Sequence, residues 1–206
     1  MKQIILTGFQ PFGPYPFNPV EESTKYFNDK QIGEYNITGI VLPCTYHGAS
    51  KILKQAISQI NPEAIVSTGL SSSVRGIRFE TTGKNIMNSK YSDANGYQPD
   101  KVPIIEGDEE FLNTNSPNHD LANILHRNGI PTEISANADH FICNSLIYLT
   151  SRYLQMNKPK IKNVFIHTPW TENYRSKIEL APRKIMIPQM VLNNSIETII
   201  RNVCKK

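Results

Sequence analysis

The sequence predicts an α/β fold, a single-domain three-layer αβα sandwich on a mainly parallel, twisted sheet. Short apolar runs alternate along the chain with amphipathic stretches of helical spacing, the pattern of strands joined by helices. The length of 206 residues suits one domain rather than two. The residue types AVILMFWYC make up 39% and DEKR 19%, which excludes collagen, coiled coil and disordered chains. We therefore expect residues 1–206 to form one domain.

Six short runs are predicted as strands, because each is rich in aliphatic or β-branched residues and bounded by turn-forming residues. Glycine is expected to end two of them, at Gly8 and Gly69. The predicted strands are residues 3–7, 37–42, 64–68, 77–88 (an extended stretch), 132–135 and 162–167.

Five helices are predicted between and after these strands. Asn18 followed by Pro19 is typical of a helix start, and apolar residues at helical spacing mark the second helix. We expect the last helix to begin near Pro182, to bend at Pro188 and to end near Cys204. The other predicted helices are residues 19–28, 47–60, 119–128 and 141–155.

The long segment 89–118 is rich in Asn, Asp, Gly and Pro and is predicted to be a loop.

Ligands of open α/β sheets bind beyond the carboxyl ends of the strands. Four features follow such ends here, namely the loops 8–13 and 69–75, the segment before Cys143, and His167. We therefore expect the functional site at that edge.

Cys143 is the candidate nucleophile. It follows a predicted strand by a short turn and lies near the start of a helix, where the helix dipole lowers the pKa of a thiol. Cysteine is also a common small core residue, and residues 141–143 fit a buried helix face equally well. Its position alone leaves both interpretations open.

Two other residues could assist such a nucleophile. His167 ends the very apolar strand VFI, where a general base can face a cleft, although a solvated histidine is the alternative. Glu80 lies in an apolar, β-branched stretch and could orient a histidine as the third member of a triad. An outward position on an alternating strand would explain Glu80 as well.

Three short motifs fail as cofactor sites. CTYH at 44–47 supplies two of the roughly four ligands that zinc needs, with no second pair. TGK at 82–84 lacks the earlier glycine of a phosphate loop, and GFQPFG at 8–13 lacks the central glycine of a dinucleotide fingerprint. We therefore expect neither a metal ion nor an organic cofactor.

Charge and cysteine usage limit the partners and the compartment. The net charge is +4, from 22 Lys and Arg and 18 Asp and Glu, and the basic residues are scattered, so no nucleic-acid partner is predicted. No run of 18 apolar residues occurs, so no membrane span is predicted. Three widely spaced cysteines argue against a disulfide framework and favour a cytoplasmic protein.

Four segments follow one another in a distinctive order: TGFQPFG at 7–13 with NP at 18–19, residues 69–85 around Glu80, CN at 143–144, and FIHTP at 165–169. In combination they resemble the pyroglutamyl peptidase I family, the pyrrolidone-carboxylate peptidases. The resemblance extends over essentially the whole chain. It implies a cytosolic cysteine peptidase that removes N-terminal pyroglutamate from peptides.

The resemblance also implies roles for individual residues. Cys143 would be the nucleophile, His167 the general base and acid, and Glu80 the carboxylate that orients His167. The residues expected on this basis to bind the pyroglutamyl group are Phe9, Phe12, Leu70 and Phe141. The implied partners are pyroglutamyl peptides and further copies of the chain, in a homodimer or homotetramer.

The chain departs from the family pattern around the triad. Leu70 replaces a glutamine that could bond the lactam, and Lys90 replaces an arginine without its bidentate fork. Asp139 replaces a glycine, where a positive φ would strain it and its charge would raise the pKa of Cys143. Thr81 and His140 are further departures. Two alternatives therefore stay open: an amide hydrolase of altered acyl specificity or low activity, and a non-catalytic binding protein on the same fold.

Overall fold

The computed structural model describes residues 1–177 and 185–205. The helices in these ranges are α1 (Pro19–Phe27), α2 (Tyr46–Ile60), α3 (Asn118–Arg127), α4 (Ile142–Asn157) and α5 (Gln189–Asn202). The strands are β1 (Lys2–Phe9), β2 (Gln31–Ile32), β3 (Tyr35–Leu42), β4 (Ala64–Leu70), β5 (Ile77–Glu80), β6 (Thr82–Lys84), β7 (Phe111–Asn113), β8 (Thr132–Ser135), β9 (Lys162–Thr168), β10 (Trp170–Thr171) and β11 (Met186–Ile187). The predicted alternation of strands and helices is confirmed.

Seven strands form one sheet in the order β2-β3-β1-β4-β9-β5-β8. Strands β3, β1, β4 and β9 are parallel, as predicted, and β2 pairs antiparallel with β3. Strands β5 and β8 are parallel to each other, but β5 runs antiparallel to β9. The expectation that all four loops share one edge is therefore right for β1, β4 and β9 and wrong for β8, which runs the other way.

Apolar side chains cover both faces of this sheet. Along β1, Ile4 and Leu6 belong to a core under α1, α3 and α5, whereas Ile5 belongs to a core under α2 and α4. The alternation follows from the two-residue period of a strand. Two helical layers around one sheet are the predicted three-layer αβα sandwich.

Two of the predicted strand ends were wrong. The strands continue through Gly8 and Gly69 to Phe9 and Leu70. A side chain on Gly8 would collide with the Val20 carbonyl in α1. This glycine thus allows a helix to approach the sheet closely, rather than ending the strand.

The start of α1 agrees with the prediction from local capping residues, whereas the predicted course of α5 does not. The Asn18 side chain accepts a hydrogen bond from the Val20 N–H, and Pro19 is the first residue of α1, as predicted. The predicted bend at Pro188 is wrong, because Pro188 directly precedes α5. The predicted start near Pro182 lies outside the described residues.

The segment predicted as one long loop contains β7, which pairs antiparallel with β6 in a small separate ladder. In the same segment the Asp93 carboxylate is buried and accepts hydrogen bonds from the backbone of Tyr46, Asn95 and Tyr97. These bonds attach the loop to the start of α2. Over the described ranges, no helix is both long enough and apolar enough to cross a membrane.

Candidate active site

Glu80 and His167 form the centre of the site. The Glu80 Oε1 and His167 Nδ1 atoms are 2.8 Å apart, and the two side chains are 0% and 6% exposed. Glu80 lies on β5 opposite Phe165, two residues from His167 on β9, so both side chains lie on the same face of the sheet. This diagonal pairing brings together two of the three residues predicted for a triad.

Cys143, the third, is the second residue of α4. A Cβ built on Gly69 would lie 3.1 Å from the Cys143 Sγ and 3.0 Å from the His167 Cδ2. The thiol and the imidazole therefore converge on the space that Gly69 leaves empty. All three predicted triad residues meet at this one place.

Burial dominates the electrostatics of the thiol. Desolvation, and after it the carboxylates of Glu80 and Asp139, raise the pKa of Cys143 well above its usual range. The sequence-based expectation was a lowered pKa from the helix dipole, and it is wrong in direction.

Aromatic rings cluster around Phe141, two residues before Cys143. The Phe12 and Phe141 ring centroids are 5.3 Å apart, and Tyr46 meets Phe141 edge-on at 5.5 Å. Phe12, Phe141 and Cys143 are half-buried and pack on the same core cluster. Phe12 and Phe141 therefore form an apolar wall on the core cluster against which Cys143 also packs, and Phe141 is two residues before Cys143.

The other two predicted binding residues have different surroundings. Phe9 is 4% exposed and belongs to the core under α2 and α4. Leu70 packs against the aromatic cluster around Trp170 and Tyr174. The roles of both stay predictions.

The departures from the family pattern are also visible. Asp139 has φ = 58°, in the left-handed region, as its replacement of a glycine predicted. Lys90 is exposed, and Thr81 donates its N–H to the Ser135 carbonyl. The His140 carbonyl accepts from the Asn88 N–H.

No group of three or more His, Cys, Asp or Glu side chains within residues 1–177 and 185–205 is arranged to hold a metal ion. A carboxylate bonded to an imidazole, with a thiol facing the same space as that ring, is instead an arrangement suited to nucleophilic catalysis.

Residues 2–204 match the family model described as pyroglutamyl peptidase. The chain belongs to the pyroglutamyl peptidase family. This is a family of cysteine exopeptidases, and the resemblance predicted from the sequence is confirmed.

Individual members of the pyroglutamyl peptidase family resemble this chain in both sequence and structure. A pyrrolidone-carboxylate peptidase of Bacillus cereus (strain G9842) is 35% identical over 177 residues, 86% of this chain and 82% of the relative. The structure of the pyrrolidone carboxyl peptidase from Thermococcus litoralis superposes with a TM-score of 0.91 at 31% identity, covering 98% of this chain and 92% of that one. Pyroglutamyl peptidase I of Bacillus amyloliquefaciens superposes with a TM-score of 0.89 at 25% identity.

Sequence reasoning did not assign a place beside the predicted site residues to two residues that the structure puts there. Gly69 was interpreted as a strand end, whereas it faces the thiol and the imidazole. Tyr46 was not singled out, although it is buried against Phe141. Neither residue carries a sequence signal of its own, because each matters only through the side chain that packs against it.

Proposed function

We propose that this chain removes N-terminal pyroglutamate from peptides by acyl transfer, with Cys143 as nucleophile, His167 as general base and acid, and Glu80 orienting His167. The observation that carries the proposal is the 2.8 Å contact between Glu80 and His167, with the Cys143 sulfur beside the same ring. Membership of a cysteine exopeptidase family supports it.

The carboxylate determines which nitrogen of His167 is available. An ionised Glu80 can only accept, so His167 donates Nδ1–H to Oε1 and leaves Nε2 free to take a proton. The resting pair is either a thiol beside a neutral imidazole or a thiolate beside an imidazolium, and burial, which raises the pKa of Cys143, favours the thiol. His167 therefore removes the thiol proton as the sulfur attacks.

The sulfur attacks the carbonyl that follows the lactam ring and forms a tetrahedral intermediate. The first N–H groups of a helix have no partner within the helix, so those at the start of α4 are available to the oxyanion. Such donors contribute about 2.7–4 kcal/mol each. His167 then protonates the leaving amine, and a water molecule activated by His167 hydrolyses the thioester.

The apolar wall of Phe12 and Phe141 suits the acyl group. A lactam is uncharged and flat, so it can lie against aromatic rings with its amide groups bonded at the edge. An ordinary N-terminal ammonium would lose its hydration there, which costs several kcal/mol without a partner. The wall thus favours pyroglutamyl over free N-termini.

Release of a fluorescent amine from a pyroglutamyl amide tests the proposal. Purified protein is assayed under reducing conditions, with prolyl and alanyl amides alongside and Cys143→Ala as the control. Selective pyroglutamyl turnover that disappears in Cys143→Ala would support both the reaction and the nucleophile. Turnover of the other amides alone would indicate an altered acyl specificity, and no turnover with an inert Cys143 would leave a binding role.

We further propose that residues 1–206 act as one pyroglutamyl-peptidase-like domain in the cytoplasm, as a homodimer or homotetramer. A central seven-stranded sheet with a core on each face supports one domain. Free Cys44, Cys143 and Cys204 are consistent with a reducing compartment. Light scattering on the purified protein would give the number of copies.

A further inference from the structure

Asn144, the neighbour of Cys143, is completely buried and bound only to backbone. Its Oδ1 accepts from the Lys84 N–H at 2.8 Å, and its Nδ2 donates to the Lys84 and Ile86 carbonyls at 2.9 Å each. Both amide hydrogens and one oxygen lone pair are used. A side chain bonded in this way has no free donor for a substrate.

These bonds join two elements of the site. Asn144 is the third residue of α4, and its partners begin four residues after Glu80. The N-cap residue Phe141 makes no side-chain capping bond within the described residues. The first turn of α4 is therefore held by Asn144 rather than by a cap.

Close packing between β6 and α4 makes the connection formed by Asn144 rigid. A Cβ built on Gly83 would lie 2.7 Å from the Tyr148 Cα, so β6 lies directly on the backbone of α4. Together, the Asn144 bonds and this contact hold the helix that carries Cys143 against the segment that follows Glu80. A shift of either element would change the distance between the thiol and the imidazole.

We infer that Asn144 is a positioning residue, which fixes Cys143 relative to the Glu80–His167 pair by binding the backbone of residues 84–86. The inference rests on the proposed function. It assigns to Asn144 no contact with the substrate; the side chain acts through the placement of its neighbour.

The test compares Asn144→Ala and the milder Asn144→Ser with the wild type on a pyroglutamyl amide. Serine keeps a hydroxyl near the Lys84 N–H and so retains part of the link between α4 and residues 84–86. The serine variant therefore provides the test if the alanine variant does not fold. We expect kcat to fall about tenfold or more with little change in KM, because small misplacements of reacting groups are costly. We also expect the pH profile of kcat/KM to shift and the alkylation rate of Cys143 to change.

Asn118→Ala is the matched control. Asn118 is also a buried amide in the first turn of a helix, where it donates to the Thr114 Oγ1 at 3.1 Å, but α3 carries none of the triad. All rates are measured below the melting temperature of each variant. The control should lose stability and keep the wild-type kcat, pH profile and alkylation rate.

A wild-type kcat and pH profile in folded Asn144→Ser or Asn144→Ala would overturn the inference, as would an equal loss in Asn118→Ala. If the wild type itself does not release the amine, the proposed function fails. The alkylation rates of Cys143 then decide the role of Asn144 alone: equal rates in variant and wild type would overturn it, and a changed rate would support it.

Discussion

Glu80 and His167 pair diagonally across two antiparallel strands, although they are 87 positions apart along the chain. The Glu80 Oε1 contacts the His167 Nδ1, while Oε2 is buried without a hydrogen-bond partner among the described residues. A carboxylate held in this way orients the ring but is a costly group to bury. This relationship leads to opposite expectations for activity and stability.

Glu80→Gln should lower kcat by about 10²–10⁴-fold, because the neutral amide no longer holds His167 with Nε2 free to accept a proton. The same change removes a buried charge of almost unchanged shape, so the melting temperature should stay equal or rise. Steady-state kinetics and thermal unfolding check both parts. A large fall in melting temperature together with full activity would contradict the assigned role.

Gly69→Ala should lower kcat by more than tenfold while the fold is retained. The new Cβ would lie 3.0–3.1 Å from the Cys143 Sγ, the His167 Cδ2 and the Phe165 Cζ, closer than such atoms normally pack. The thiol and the imidazole must then move apart. Kinetics of the variant are compared with Ser67→Ala, a change on the same face of β4 that should leave kcat nearly unchanged.

Phe12→Ala should raise KM for a pyroglutamyl amide about tenfold, with a smaller effect on kcat, because it removes half of the aromatic wall. Phe111→Ala is a suitable control, since Phe111 is 49% exposed on β7. Full substrate-saturation curves separate the two constants. An unchanged KM in Phe12→Ala would place the acyl group elsewhere.

Asp139→Asn should speed alkylation of Cys143 severalfold at neutral pH. The Asp139 carboxylate contributes to raising the pKa of Cys143, so its removal lowers that pKa and increases the thiolate fraction below it. Peptide mapping after iodoacetamide treatment distinguishes Cys143 from Cys44 and Cys204. Asp120→Asn, on α3 in the opposite layer, should leave the rate as in the wild type.

Local signals in the sequence were enough to predict most elements, whereas the triad was predicted from the resemblance to the family. The cap at Asn18 and the apolar spacing of α2 depend on residues a few positions apart, so both can be predicted without knowing the fold. Cys143, His167 and Glu80 were each ambiguous alone. They became specific through the order of the motifs around them.

What could not be predicted depends on contacts between distant parts of the chain. Strands β5 and β8 have four residues each, which carry no information about direction. Gly8 and Gly69 do not differ in sequence from glycines that end strands; only the helix or side chain opposite distinguishes them. The pKa of Cys143 depends on burial under elements far from it in sequence.

Strand β9 lies between β4 and β5, although β4 and β5 are near neighbours along the chain. During synthesis, both earlier strands leave the ribosome long before the strand that separates them. Their facing edges stay unpaired until residues 162–168 emerge. The sheet and the Glu80–His167 pair are thus completed in one late step, so we expect incomplete chains to lack peptidase activity and to expose strand edges to proteolysis and aggregation.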